Sequence, residues 1–152
     1  MKKIGKEVDF IRTGNGNPRN GEGSFIRLND GRILHAYTEY YGDGWADHCT
    51  ARISACFSCD EGESFDKPFV LFEKDEKAEN IMSVSLFRMK NGSIGCVYLR
   101  KERKENGNIN CMPYFTFSAD EAESWSEPIA ITLPDGYYCG INDGAVVTKS
   151  GR

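Results

Sequence analysis

Ser58-Cys59-Asp60-Glu61-Gly62-Glu63-Ser64-Phe65 and Ser118-Ala119-Asp120-Glu121-Ala122-Glu123-Ser124-Trp125 are one eight-residue phrase written twice, 60 positions apart. Each is followed by a proline, Pro68 or Pro128, and a short apolar run. A second phrase repeats with nearly the same period. Phe25-Ile26-Arg27-Leu28-Asn29-Asp30-Gly31-Arg32-Ile33-Leu34 matches Leu86-Phe87-Arg88-Met89-Lys90-Asn91-Gly92-Ser93-Ile94-Gly95. A third copy starts at Ala145-Val146-Val147-Thr148-Lys149-Ser150-Gly151-Arg152, so the turn glycines fall at 31, 92 and 151. Two independent phrases agreeing on one period define a repeat, and a repeat constrains the fold before any single motif does.

Each repeat reads as four strands. The first runs into an Asp-Gly or Asn-Gly hairpin turn and the second leaves it. After a longer loop the third strand runs into the Ser-x-Asp phrase, and the fourth leaves it. Four antiparallel strands per fixed repeat is the pattern of a β-propeller blade; a parallel β-helix needs a shorter period, and a sandwich does not repeat. The expectation is an all-β chain forming a single partial propeller domain of about two and a half four-stranded antiparallel blades. Blade 1 is expected at 18–75, blade 2 at 80–135 and the start of a third at 140–152. A blade cannot bury both faces alone. The chain therefore reads as a piece of a longer protein or as one copy in a ring of several. The first is preferred, because closing a ring from half-blades means sharing a hairpin between copies.

Composition agrees. The chain has 152 residues, 39% hydrophobic, with 16 Gly, 9 Phe, 7 Tyr and 2 Trp, which suits short strands and tight turns. A net charge of −4 and a pI near 5.3 argue against nucleic acid and anionic membrane surfaces as partners. No apolar run approaches the roughly 18 residues of a membrane span. The start, Met1-Lys2-Lys3-Ile4-Gly5-Lys6-Glu7, lacks the apolar stretch of a signal peptide, so a cytoplasmic location is expected. The six cysteines (49, 56, 59, 96, 111 and 139) are expected as buried or half-buried thiols. Cys56 and Cys59 sit in a strand-like run where a spacing of three puts them on opposite faces. No metal or organic cofactor is implied.

Propeller topology sorts the remaining residues. If the first strand starts at the top of the blade, the Asp-Gly turn and the Ser-x-Asp turn lie at the bottom, while the second-to-third loop and the link to the next blade lie on top. Asp60 and Asp120, with Ser58, Ser118 and Gly62, then pin bottom turns, and Phe65 and Trp125 pack between strands; these are structural positions. The top face collects Arg19 and Glu22 from the first inner strand, Asn80 and Ser83 from the second, and Asn142 and Asp143 from the third. The first-blade loop adds Glu39, Tyr40, Tyr41, Asp43, Trp45, Asp47 and His48, the second-blade loop Arg100, Lys101, Arg103 and Lys104, and the link after it Tyr137 and Tyr138. Run 100–105, with alternating charges, reads as a solvated hairpin loop. Guanidinium groups bind carboxylates bidentately and aromatic faces stack on sugar rings, so the set suits a carbohydrate bearing an acidic group. The blander alternatives are an ion pair for Glu22, a solvated loop position for Arg19, a turn cap for Asp47 and inter-blade packing for Tyr137-Tyr138.

The eight-residue phrase resembles the Asp box of sialidases and related BNR-repeat proteins, with Phe65 and Ala122 as departures from its Trp and Gly. The flanking text RNGEGSFIRLNDGRIL, ENIMSVSLFRMKNG and GYYCGINDGAVV is similar too, and the resemblance covers residues 18–152. It implies a six-bladed propeller of roughly 360 residues, of which this chain would be the N-terminal part. It also implies an exo-acting glycoside hydrolase releasing a terminal acidic sugar, with a neutral-sugar hydrolase as a close variant. Sialidases bind the sugar carboxylate with three arginines, protonate the leaving group with an aspartic acid and attack with a tyrosine. Arg19 resembles the first arginine, although Asn20-Gly21 follow it. Asp47 is the expected acid/base, with its pKa raised by loop shielding, and Asp43 is the reserve. The other arginines, the glutamate and the nucleophilic tyrosine are expected beyond Arg152, so this chain alone is expected to hydrolyse little. The alternative is a non-catalytic carbohydrate-binding or scaffold module; a truncated, aggregation-prone product is a third reading. Unpaired blade edges offer a route to self-association.

Overall fold

The computed structural model describes Gly5, Glu7, residues 11–131, Pro134, residues 136–139 and residues 142–150. It contains eight strands: β1 (Arg19–Arg27), β2 (Ile33–Tyr40), β3 (Ala51–Ser58), β4 (Phe69–Phe72), β5 (Ala78–Arg88), β6 (Ile94–Arg103), β7 (Ile109–Ser118) and β8 (Ile129–Ala130). They form two four-stranded antiparallel sheets in the orders β1-β2-β3-β4 and β5-β6-β7-β8. These are two blades of a partial propeller, as the repeat predicts. No helix among the described residues is long and apolar enough to cross a membrane.

The two repeated phrases make the same turns in both blades. Leu28 N–H donates to Arg32 O and Gly31 N–H to Leu28 O, and Met89 and Gly92 do the same with Ser93 and Met89. Gly31 and Gly92 hold φ values of 93° and 89°, the left-handed region where a side chain is disfavoured. In the Ser-x-Asp turns, Ser58 Oγ accepts from Gly62 N–H at 2.9 Å and Ser118 Oγ from Ala122 N–H at 2.8 Å. Asp60 Oδ1 accepts from Ser64 N–H and Asp120 Oδ1 from Ser124 N–H, each at 2.9 Å. Bonds from the Ser64 and Ser124 hydroxyls, then from their amides, hold both carboxyls at about 2.

The core lies between the sheets. Leu34, Ala36, Ile53 and Ala55 of the first pack against Val84, Leu86, Ile94, Cys96 and Tyr98 of the second in one buried cluster. Strand alternation puts these residues on one face of each sheet. Trp125 closes the cluster, its ring edge-on to Phe72 at 5.1 Å. Phe65, its counterpart, packs beside His35 and Phe25 on the open face of the first blade. The bottoms of the two blades are tied by Glu121, which accepts from Arg88 of its own blade and from Asn29 N–H and Nδ2 of the other.

Three sequence expectations need correction or limits. Run 100–105 is no loop through Arg103: β6 continues to that residue, paired with β7, and Lys101 is buried. Cys56, Cys96 and Cys111 are buried and Cys49 is intermediate, but Cys59 and Cys139 are exposed because each follows the end of a strand or lies in a link. The third blade's turn glycine, Gly151, lies outside the described residues, and 142–150 carry no strand.

Candidate functional site

Both inner strands bulge at the same place in the repeat. In β1 the register jumps between Gly21 and Gly23, leaving Glu22 as the extra residue. In β5 it jumps between Met82 and Ser85, and Ser83 takes φ 58° there. The repeat aligns Glu22 with Ser83 and Arg19 with Asn80. Bulges re-aim side chains and recur next to functional sites. Each also bonds across the blades: Ser83 N–H donates to Thr38 Oγ1 at 3.0 Å and Leu86 N–H to Ser24 Oγ at 2.9 Å.

Tyr40 ends β2 fully buried, and the Arg19 guanidinium lies over its ring, 4.5 Å from the centroid. Burial holds the Tyr40 phenol protonated far above its usual pKa. The loop after Tyr40 folds back tightly: Cys49 N–H donates to Ala46 O, and Gly44 lies so close to Cys49 that a Cβ there would meet Sγ at 2.3 Å. This loop crosses from blade 1 onto blade 2. Asp47 O accepts from Asn80 Nδ2 at 2.9 Å and Lys101 Nζ at 2.7 Å, and Cys49 O accepts from Asn80 Nδ2 at 2.8 Å. Lys101 Nζ also lies 5.5 Å from the centre of the Tyr137 ring.

Asp47 thereby meets Arg19. Arg19 Nη1 donates to Asp47 Oδ1 at 2.6 Å and to Trp45 O at 3.2 Å, and Nη2 faces Glu22 Oε1 at 3.4 Å. The hydrogen bond from Arg19 holds the Asp47 carboxyl below its ordinary pKa, with further help from the Arg19, Lys101 and His48 charges. The expected rise from loop shielding does not occur, because the side chain is 59% exposed and the guanidinium outweighs desolvation. Two acceptors beside this pair, Glu22 Oε2 and Asn80 Oδ1, are buried without a hydrogen-bond partner among the described residues. Buried polar atoms in that condition are rare, and a ligand donor would satisfy them.

So Arg19, Glu22, Asp47 and Asn80 come together at one inter-blade corner. Asp43 is exposed on the same loop, with no hydrogen bond or ion pair among the described residues. Asp143 accepts a hydrogen bond from Ser24 Oγ, and Gly144 N–H donates to Ser85 Oγ at 3.0 Å, so Asn142 and Asp143 enter beside the inner strands. Arg100 is committed elsewhere: it donates to both Asp75 oxygens and to Glu102 Oε2 at 2.7 Å, on the opposite sheet face from Lys101. The Tyr138 hydroxyl donates to Pro134 O at 2.9 Å. Of the other residues expected on the top face, Lys101 and Tyr40 also join this corner, though the sequence singled out neither for a role. The repeat offset carries the signal, since it aligns those two positions with each other just as it aligns Arg19 with Asn80.

No protein-family model and no curated protein matches the chain. Solved structures do match. A Hadza microbial sialidase superposes with a TM-score of 0.60 at 13% identity, over 76% of this chain and 26% of that one. The NanB sialidase from Streptococcus pneumoniae gives 0.60 at 10% identity, over 84% of this chain and 38% of that one. A thermostable family-43 glycoside hydrolase gives 0.53 at 19% identity, over 74% and 35%. The chain thus spans between 26% and 38% of the length of these structures. At such identities the likeness is one of fold: an all-β partial propeller resembling those of sialidases and other glycoside hydrolases.

Proposed function

We propose that the corner formed by Arg19, Glu22, Asp47 and Asn80 is part of a carbohydrate site for a terminal acidic sugar, in an exo-acting, sialidase-like glycoside hydrolase. The observation that carries this reading is an arginine laid over a buried tyrosine and hydrogen-bonded to a loop aspartate, at the start of an inner propeller strand. Arg19 serves as the carboxylate ligand, since guanidinium matches a carboxylate in charge and geometry. Glu22 Oε2 and Asn80 Oδ1 accept from sugar hydroxyl or amide groups. Asp47 is the acid/base, with Asp43 in reserve; Ser83, Asn142 and Asp143 form the wall toward the inner strands. Arg100 and Tyr138, engaged with Asp75, Glu102 and Pro134, are not needed for this role.

One observation favours a second reading. A carboxyl held ionised by Arg19 is a poor proton donor, which suits a non-catalytic carbohydrate-binding module.

Binding of the methyl α-glycoside of N-acetylneuraminic acid, followed by NMR against methyl β-galactoside, tests the site. The acidic sugar is expected to bind preferentially. Arg19→Ala is expected to weaken it about 10- to 100-fold, the size of a charged hydrogen-bonded contact. Equal binding of both sugars, or indifference to Arg19→Ala, overturns the reading. A fluorogenic sialoside separates the two classes: turnover lost in Asp47→Asn supports the hydrolase, and binding without turnover supports the module.

A further inference from the structure

We infer that in the free protein Asp47 occupies the place on Arg19 that an acidic ligand's carboxylate takes, so that binding such a ligand releases the Asp47 carboxyl and turns it into a proton donor. The inference rests on the acidic-sugar reading above and adds the condition under which the site becomes chemically competent. It also narrows the substrate class, because a neutral sugar has no group that can replace Asp47.

The geometry separates what holds the Asp47 side chain from what holds its backbone. The carboxyl is held chiefly by Arg19 Nη1 at 2.6 Å, with the Tyr40 hydroxyl as a weaker polar neighbour. The backbone is fixed independently by Lys101 Nζ and Asn80 Nδ2 on its carbonyl, and Asn80 also grips Cys49 O. Losing the Arg19 bond therefore frees the Asp47 side chain while Lys101 and Asn80 keep the loop seated at Asp47 and Cys49; the Arg19 contact with Trp45 O, at 3.2 Å, is the longer of its two bonds to the loop. Arg19 is 30% exposed and Asp47 is 59% exposed, so a carboxylate arriving from solvent can reach the pair. Water weakens an ion pair this open, which makes Asp47 a displaceable occupant. The stacked contact of Arg19 with Tyr40 does not involve Asp47 and persists through the exchange.

The charges around Asp47 set the direction of the proton shift. They come from every neighbouring element: Arg19 and Glu22 of β1, Tyr40 of β2, His48 of its own loop and Lys101 of β6. With Arg19 bonded to Asp47, cations prevail and the carboxyl stays ionised. An arriving carboxylate takes the Arg19 hydrogen bond and adds its own negative charge beside Glu22. The Lys101 hydrogen bond goes to the Asp47 carbonyl and its charge is the same before and after the exchange, and the Tyr40 phenol is neutral. The balance then shifts toward the protonated carboxyl, whose proton comes from solvent at the exposed side. A single exchange thus couples recognition of an acidic group to arming of the acid.

Two measurements on the 152-residue chain test this. At neutral pH, removing the competitor by Asp47→Asn is expected to tighten binding of 2-deoxy-2,3-didehydro-N-acetylneuraminic acid roughly two- to fivefold, the size of an exposed ion pair. An Asp47 that merely braces the loop, or helps hold the ligand, gives unchanged or weaker binding and overturns the inference. Carboxyl ¹³C NMR then follows the Asp47 midpoint, assigned by its loss in Asp47→Asn. It is expected below the ordinary aspartate value in the free chain and raised with saturating acidic sugar or in Arg19→Gln, but unmoved by methyl β-galactoside. If the acidic sugar binds and the midpoint does not move, the inference falls while the acidic-sugar site stands. If the acidic sugar does not bind at all, the functional reading fails and the inference with it.

Discussion

Ala122 stands where the first Ser-x-Asp turn has Gly62, and it adopts the same left-handed backbone, φ 71° against 85°. For a residue with a Cβ that conformation costs about 1–2 kcal/mol, and glycine takes it freely. The turn forms regardless, because Ser118 Oγ, Asp120 and Ser124 supply the full bond set of the first copy. Ala122→Gly is therefore expected to stabilise the chain by about 0.5–1 kcal/mol, after glycine's larger loss of chain entropy is subtracted. Urea unfolding of the two proteins checks it; a destabilised variant would mean that Ala122's packing in the inter-blade cluster outweighs its strain. At this scale the sequence was legible. Ser, Asp and a following Ser name their own bonds within five residues, and local chemistry of that kind needs no knowledge of the rest of the fold. Trp125 was less so: its position in the phrase predicts packing between strands, but its contact with Phe72 of the other blade depends on how the blades meet.

Among elements, the segment between β2 and β3 does the most to build the site, and it was the least legible. That the loop sits on top followed from strand order. That it leans onto the next blade depends on Asn80 and Lys101, which are remote in sequence and meet Asp47 only after the sheets pack. The charge run 100–105 disguised the strand position and burial of Lys101, because alternating charges resemble a loop. The usable signal was Asn106-Gly107, a hairpin dipeptide. It makes the same turn as the other two hairpins, Lys104 N–H to Asn108 O and Gly107 N–H to Lys104 O, which extends β6 to Arg103. Asn80→Ala removes a donor from two loop carbonyls, leaving Asp47 O to Lys101 and Cys49 O without its side-chain partner. It is expected to cost about 1–3 kcal/mol in global stability and to raise hydrogen exchange across 41–50 selectively. Unchanged exchange in that loop would show that Lys101 alone suffices to seat it.

For the whole molecule, the repeat says what each open face is made for. The first blade's buried face (Leu34, Ala36, Ile53, Ala55) corresponds by repeat offset to Gly95, Val97, Pro113 and Phe115 on the outward face of the second, continued by Phe117. The second blade's buried face (Leu86, Cys96, Tyr98, Trp125) corresponds to Phe25, His35, Tyr37 and Phe65 on the outward face of the first. The two outward faces are thus the two halves of the interface already formed inside the chain. They leave Phe25 55%, Phe117 41% and Ile129 61% exposed. Among the described residues, 142–144 reach only the inner edge of the second blade's face, through Ser85. The β8 edge is only two residues long, so faces offer more apolar area for contact than edges do. The expected mode of self-association is therefore blade 2 of one chain onto blade 1 of the next, a head-to-tail contact that can repeat. The purified chain is expected to associate with rising concentration in sedimentation velocity. Phe117→Glu should shift it toward monomer by placing a charge in that contact, while an exposed-turn substitution such as Lys90→Glu should not. A monomer at all concentrations would mean that these aromatic faces remain solvated, and that pairing of like repeats, strong within the chain, is too weak between chains.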